Sequence, residues 1–200
     1  NTCMVIGEDI GTVPAGFRER MAQANVLSCR VLYFEQEHGR FRHPREFPQL
    51  ASISASTHDL ATLRGYWAAE DIAAKARLGI FKSADEERRA RDQRAADKQA
   101  LLRALEEEAL LPDDLKDKDG IECAPLLASA IHAYLARSPS LLFMVQLDDL
   151  TNELSQANLP GSTSEFPNWR RRLSRSLEEI AADTALTSAM AAISRERNGI

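Results

Sequence analysis

The stretch Leu50–Leu63, reading Leu-Ala-Ser-Ile-Ser-Ala-Ser-Thr-His-Asp-Leu-Ala-Thr-Leu, limits the fold more than any other. It opens as a run of small and apolar residues, the mark of a strand buried on both faces. It breaks at Thr57-His58-Asp59 and continues with Leu60, Leu63, Tyr66 and Trp67 at helical spacing. A strand that ends in His-Asp and feeds a helix sets two polar side chains at the carboxyl edge of a sheet. In α/β architectures that edge is where ligands bind. Cys3-Met4-Val5-Ile6-Gly7 has the same grammar. It ends in Glu8-Asp9 and turns through Ile10-Gly11-Thr12-Val13-Pro14 into a helix expected from Ala15 to Asn25.

The pattern repeats along the chain. Ser28–Phe34 reads as a second strand ending in Glu35, and Gln36–Pro48 as a loop without helical period. After the third strand, Ala68–Leu111 is dominated by Ala, Arg, Glu and Lys. Such charged amphipathic helices lace their faces with opposite charges, and Ser83 or Asp85 is expected to cap the second of them. A helix is expected from Ala124 to Ala136. Leu141–Leu147 reads as a fourth strand exiting into Asp148-Asp149. Pro160-Gly161 signals a type II turn, and a last amphipathic helix carries Leu177, Ile180, Leu186, Met190 and Ile193. Strand, connection and strand in succession indicate parallel βα units. Three parts are expected: barrel strands and helices over 1–67, a helical insertion over 68–137, and a last strand with its helix over 138–200.

Two hundred residues can bury one sizeable core. A net charge of −5 argues against nucleic acid, whose phosphates demand a basic face. No apolar run approaches the roughly 20 residues that span a bilayer, so no membrane partner is expected. Cys3, Cys29 and Cys123 form no Cys-x-x-Cys pair and read as reduced, buried thiols of a cytoplasmic protein. Entry into a core strand directly after Asn1-Thr2 looks like a piece cut from something longer.

Glu8 and Asp59 both close apolar strands of one sheet. Two carboxylates on one edge can divide labour, one protonated among apolar neighbours and one ionised among donors. Glycosidic bond cleavage needs that division: one acid protonates the leaving oxygen and negative charge stabilises an oxocarbenium-like transition state. Each residue also has a plainer reading. Asp59 could cap a helix starting at Leu60, and Asp9 a turn. His58 could be a hydrogen-bonded structural histidine.

Val5-Ile6-Gly7-Glu8-Asp9-Ile10-Gly11-Thr12-Val13-Pro14, Ser56-Thr57-His58-Asp59, Asn158-Leu159-Pro160-Gly161 and Asn168-Trp169-Arg170 resemble, in order, signature segments of the amylomaltases. These are the 4-α-glucanotransferases of glycoside hydrolase family seventy-seven. The resemblance implies an α/β fold, the C-terminal half of a (β/α)₈ barrel, with the four strands as its fifth to eighth. It implies Glu8 as general acid/base and Asp59 as the carboxylate that holds sugar hydroxyls and stabilises the transition state. His58 would bond the same ring, and Asp9 and Asn158 would line the substrate groove. α-1,4-Glucans and maltooligosaccharides would be donors and glucose an acceptor, in carbohydrate metabolism, with no cofactor and no metal.

The family's nucleophile is an aspartate in an Arg-x-Asp-His context, which occurs nowhere in this sequence. The 200-residue chain alone is therefore expected to be inactive, since a retaining mechanism needs that group. An α-amylase-type hydrolase and a non-catalytic glucan-binding module are the alternatives. A metal-dependent hydrolase built on His58 and Asp59 lacks further ligands at suitable spacing. Four strands leave two open edges, so self-association of the piece is expected.

Overall fold

A computed structural model describes residues 3–111 and 125–199. Four strands, β1 (Val5–Gly7), β2 (Val26–Val31), β5 (Ala51–Ser54) and β6 (Leu142–Met144), form one sheet in the order β1-β2-β5-β6. Every pairing in it is parallel. The strand order never reverses, so the sheet has no switch point of the doubly wound kind; each crossover adds a strand on the same side. One row of the register, Arg30, Ile53 and Phe143, marks the face on which Ile53 and Phe143 meet the helices.

Local chemistry sets several boundaries differently from the sequence expectation. Helix α1 (Phe17–Gln23) starts two residues late, because Gly16 takes a left-handed φ of 76° at its N-cap. Strand β2 begins at Val26 and stops at Val31. Leu32–Phe34 coil into a 3₁₀ turn that buries Leu32 and leaves Phe34 exposed. The segment read as a loop holds a hairpin, β3 (Gln36–Glu37) and β4 (Arg40–Phe41). His38 and Gly39 both have positive φ at its tip, as a type I′ turn requires. His-Gly is a weaker written signal than Asn-Gly, which is why the hairpin does not stand out in the sequence.

Helix α2 (Leu63–Ala68) starts three residues later than Leu60. Its N-cap is Thr62, whose Oγ1 accepts the Gly65 N–H at 3.0 Å. Asp59 is thereby relieved of any capping duty. Helices α3 (Glu70–Arg77) and α4 (Ala84–Glu107) follow, and Ser83 caps α4 as expected, accepting the Glu86 N–H. Arg94 on α4 forms a two-pronged pair with Asp71 at 2.9 Å and lies over the Tyr66 ring, tying α4 to α2 and α3. The expected end of this region at Leu111–Asp114, the start of the next helix at Ala124, and Cys123 fall wholly or partly outside the described residues.

Helix α5 (Pro125–Ala136) is buried over most of its length. With Leu101, Leu105, Phe41, Phe47, Ile53 and Trp67 it makes the principal core. Strand β6 ends at Met144 rather than running to Leu147, because Leu147–Leu150 coil into the short helix α6. The single last helix expected is two, α7 (Leu177–Ala182) and α8 (Thr184–Asn198). Asp183 breaks the run by turning its carboxylate onto the N–H groups of Ala185 and Leu186. Leu177 is exposed, so the apolar stripe is not continuous, whereas Ile193 is buried.

Strand β1 is an open edge. Val5 and Ile6, on opposite faces of it, are 50% and 46% exposed, and Leu141 and Met144 are exposed at the β6 edge. The edge position explains why Cys3 is an exposed thiol rather than a buried one. Cys29 is half-buried and also free. No helix among the described residues is long and apolar enough to cross a membrane.

Candidate functional site

The carboxyl ends of the strands carry the acids. At the β1 exit, Glu8 is exposed and makes no hydrogen bond or ion pair with another described residue. Its neighbour Asp9 is 2% exposed. One Asp9 carboxylate oxygen accepts from Arg18 Nε and the other from the Cys29 N–H, both at 2.7 Å, while Arg18 also reaches the Asp9 carbonyl. Asp9 therefore ties the β1 exit to both β2 and α1. Since successive side chains of an extended chain point to opposite sides, a buried Asp9 holds Glu8 outward. Burial, then the negative charges of Asp9 and Glu8, push the Cys29 thiol up, with Arg30 opposing. A cleft of about 400 Å³ opens beside Asp9, lined also by Arg30, Glu35 and Arg42. Three guanidinium groups and two carboxylates line it: Arg18 pairs with Asp9, and Arg30 and Arg42 both face Glu35, at 3.3 and 3.1 Å.

Asp9→Ala leaves the Cys29 N–H and Arg18 Nε without their carboxylate acceptor, while Arg18 keeps its bond to the carbonyl of residue 9. Equilibrium urea unfolding should show a loss of roughly 2–4 kcal/mol, the usual cost of stranding hydrogen-bonding partners.

At the β5 exit, Thr57 shapes a turn, its carbonyl accepting the Leu60 N–H and its hydroxyl the Asp59 N–H. The Asp59 carboxylate is about half exposed, and its Oδ1 accepts from Asn158 Nδ2 at 2.7 Å. His58 Nε2 lies 3.5 Å from the same oxygen. The Asn158 N–H donates to the His58 carbonyl, and Gln156 Nε2 donates to the carbonyls of Asp59 and Asn158. Two segments 99 residues apart are thus joined at one carboxylate.

The second segment is itself braced. Ser162 N–H closes the Pro160-Gly161 turn on Leu159, with Gly161 at a φ of 87°, as the type II signature requires. Asn168 staples the loop: its Oδ1 accepts from the Leu159 N–H, and its Nδ2 reaches Ser162 and Thr163. Trp169 follows, its N–H bonded to the Ala157 carbonyl and its indole 5.1 Å from the His58 ring.

The turn after β6 supports both segments. Asp149 Oδ1 accepts the Leu63 N–H at 2.7 Å and Thr62 Oγ1 donates to the Glu153 carbonyl. Burial would raise the Glu153 carboxyl, but two hydrogen bonds from Ser174 and the charge of Arg171 hold it below the usual range. Gly65 belongs to the same junction, where an added Cβ would stand 2.4 Å from the Leu154 carbonyl oxygen. Gly65→Ala should lower stability by about 1–3 kcal/mol, read as a shifted denaturation midpoint.

Of the residues singled out in sequence, His58, Asp59 and Asn158 come together, and Glu8 stands two strands away on the same edge with β2 between. Asp9 sits beneath that edge with both oxygens occupied. Sequence reasoning assigned no role to Gln156, Asp149 or the ring of Trp169. Trp169 had a readable signal: an aromatic residue in a Pro/Gly/Ser/Asn loop, outside any helical period. Among the described residues no group of three or more His, Cys, Asp or Glu side chains could hold a metal ion.

A singly wound parallel sheet whose carboxyl edge presents acids, an imidazole and amides defines an α/β protein with a polar ligand-binding edge. The family model described as 4-alpha-glucanotransferase matches residues 1–178, and the chain belongs to that family, glycoside hydrolase family seventy-seven. The 4-alpha-glucanotransferase of Haemophilus influenzae is 36% identical over 199 residues, which are 99% of this chain and 28% of that protein. The Mycobacterium tuberculosis 4-alpha-glucanotransferase is 31% identical over 172 residues, 84% of this chain and 23% of that protein. The amylomaltase of Corynebacterium glutamicum superimposes with a TM-score of 0.82 at 25% identity, covering 97% of this chain and 28% of the other. The chain thus spans between 23% and 28% of the length of these relatives.

Proposed function

We propose that this chain forms part of a retaining 4-α-glucanotransferase, contributing the fifth to eighth strands of its (β/α)₈ barrel. The observation that carries the reading is the Asp59 cluster. A half-exposed carboxylate, oriented by Asn158 and flanked by His58, shares a strand edge with Glu8, which pairs with no other described residue. Two strand spacings separate β1 from β5, about 10 Å of backbone. Acid side chains leaning in from both could flank one sugar ring across that gap.

In the proposed reaction, Glu8 in its acid form protonates the glycosidic oxygen as the C1–O bond breaks. An aspartate from outside this chain attacks C1 and holds the glucan covalently. Glu8, now a carboxylate, takes the proton from an acceptor's 4-hydroxyl, which attacks C1 and expels the aspartate. Asp59 holds ring hydroxyls and opposes the positive charge that develops on the ring in both steps. His58 and Asn158 bond the same sugar, and Asp9 acts from below, by holding the β1 exit in place. The exposed edges of β1 and β6 are where the remaining strands would pack, or a second copy when the chain is alone.

Maltotriose tests this in the intact protein. Glucose together with saccharides longer than the substrate is the expected product set, and reducing ends without longer products would replace transfer by hydrolysis. The 200-residue chain alone is expected to turn over neither way, for want of the nucleophile.

A further inference from the structure

The chain has two tryptophans, and they are treated oppositely. Trp67 is 4% exposed within the core, whereas Trp169 is 64% exposed. Its exposure is held in place by specific bonds. Trp169 adopts a φ of 60°, a left-handed conformation that a bulky L-residue occupies only when its surroundings impose it. The surroundings are the Trp169 N–H bond to Ala157 and the Asn168 side chain, which binds Leu159, Ser162 and Thr163 on both sides of the Pro-Gly turn. The indole stands beside the His58 ring at an interplanar angle of 48°, so the two rings are not stacked face on face. Asp59 and Asn158 complete the same cluster.

A glucopyranose has an apolar C–H face and a rim of hydroxyls. A rigid aromatic face next to a carboxylate, an amide and an imidazole matches both halves of that description. We propose that Trp169 is a stacking platform for a pyranose ring, the one adjoining the ring that Asp59 holds. This rests on the glucan reading above and adds a substrate-binding residue to it. His58 contacts both the indole and the Asp59 carboxylate, so a sugar lying on Trp169 belongs to the same cluster as the sugar at Asp59, and the adjoining ring is the position assigned to it.

The test uses the intact enzyme, with maltotriose for turnover and acarbose for binding without turnover. Trp169→Ala should raise the maltotriose KM and weaken acarbose by about tenfold, the effect of losing contact over roughly a quarter to a third of the indole surface. kcat should change by less than about threefold, since uniform binding is lost rather than transition-state stabilisation. Trp169→Phe should recover most of the loss. It keeps a flat apolar face and guards against misreading a folding defect, which thermal melting of both variants also reports. Unchanged KM and acarbose affinity in Trp169→Ala would overturn the platform while leaving the glucan reading intact. A fall in kcat at constant KM would also overturn it, making Trp169 a positioning residue for His58. Failure of the unsubstituted enzyme to bind acarbose or any maltooligosaccharide would overturn both.

Discussion

Glu8→Gln in the intact enzyme should lower kcat for maltotriose disproportionation by roughly 10²–10⁴, the range that a positioned general acid/base contributes. The substitution keeps size and shape but removes the proton that the leaving oxygen needs. KM should stay within about threefold, because the loss falls on the transition state and not on ground-state binding. Glu8 makes no hydrogen bond or ion pair with another described residue, so the exchange disturbs no internal contact there, and Asp9 continues to hold the loop. A donor with a leaving group that departs without a proton, such as a glucosyl fluoride, should recover much of the first step. Product chromatography and initial rates measure both effects. Near-wild-type turnover in Glu8→Gln would remove this residue from the mechanism and leave the chain a binding module.

Asp59→Asn is the second large effect. Asparagine retains an oxygen that can accept from Asn158 Nδ2, so the cluster keeps its shape while its negative charge is lost. Removal of a preorganised electrostatic partner of the transition state should lower kcat by roughly 10²–10³. Asn158→Ala supplies the contrast. It leaves the charge but frees the carboxylate from its orienting amide, and should cost less than Asp59→Asn in the same assay. Equal losses in the two variants would mean that orientation, and not charge, is what Asp59 provides.

Much of this site is legible in the linear chain because its chemistry coincides with changes of period. Val5-Ile6-Gly7 and Ala51–Ser54 are runs of small and apolar residues; Glu8 follows the first at once and Asp59 follows the second after Ala55-Ser56-Thr57-His58. What could not be read is whether an acid at such a place is a cap or a free group. Asp59 as a cap for a helix starting at Leu60 and Asp59 as an exposed carboxylate are written identically in the sequence. The choice is made by Thr62, which wins the N-cap, and by Asp149, which takes the Leu63 N–H from 86 residues away. Glu8 and Asp9 are likewise adjacent letters of similar chemistry. Only the Arg18 side chain and the Cys29 N–H separate them into an exposed acid and a buried tie.

Two of the boundaries that moved are at strand ends. Leu32–Phe34 continues the apolar letters of the strand before it, yet coils and buries only Leu32, while Leu147–Leu150 coils so that Asp149 is buried and takes the Leu63 N–H. By itself the sequence determined the order of the four sheet strands and of the main helices between them, the acids that follow β1 and β5, and the Pro-Gly turn, since each rests on near-neighbour periodicity or on one residue's allowed backbone angles. Tertiary structure alone decided which acid faces solvent, that Asn158 meets Asp59, and that Trp169 stands out from its loop. Those outcomes depend on hydrogen-bond partners distant in the chain, and no local pattern encodes which donor reaches a carboxylate first.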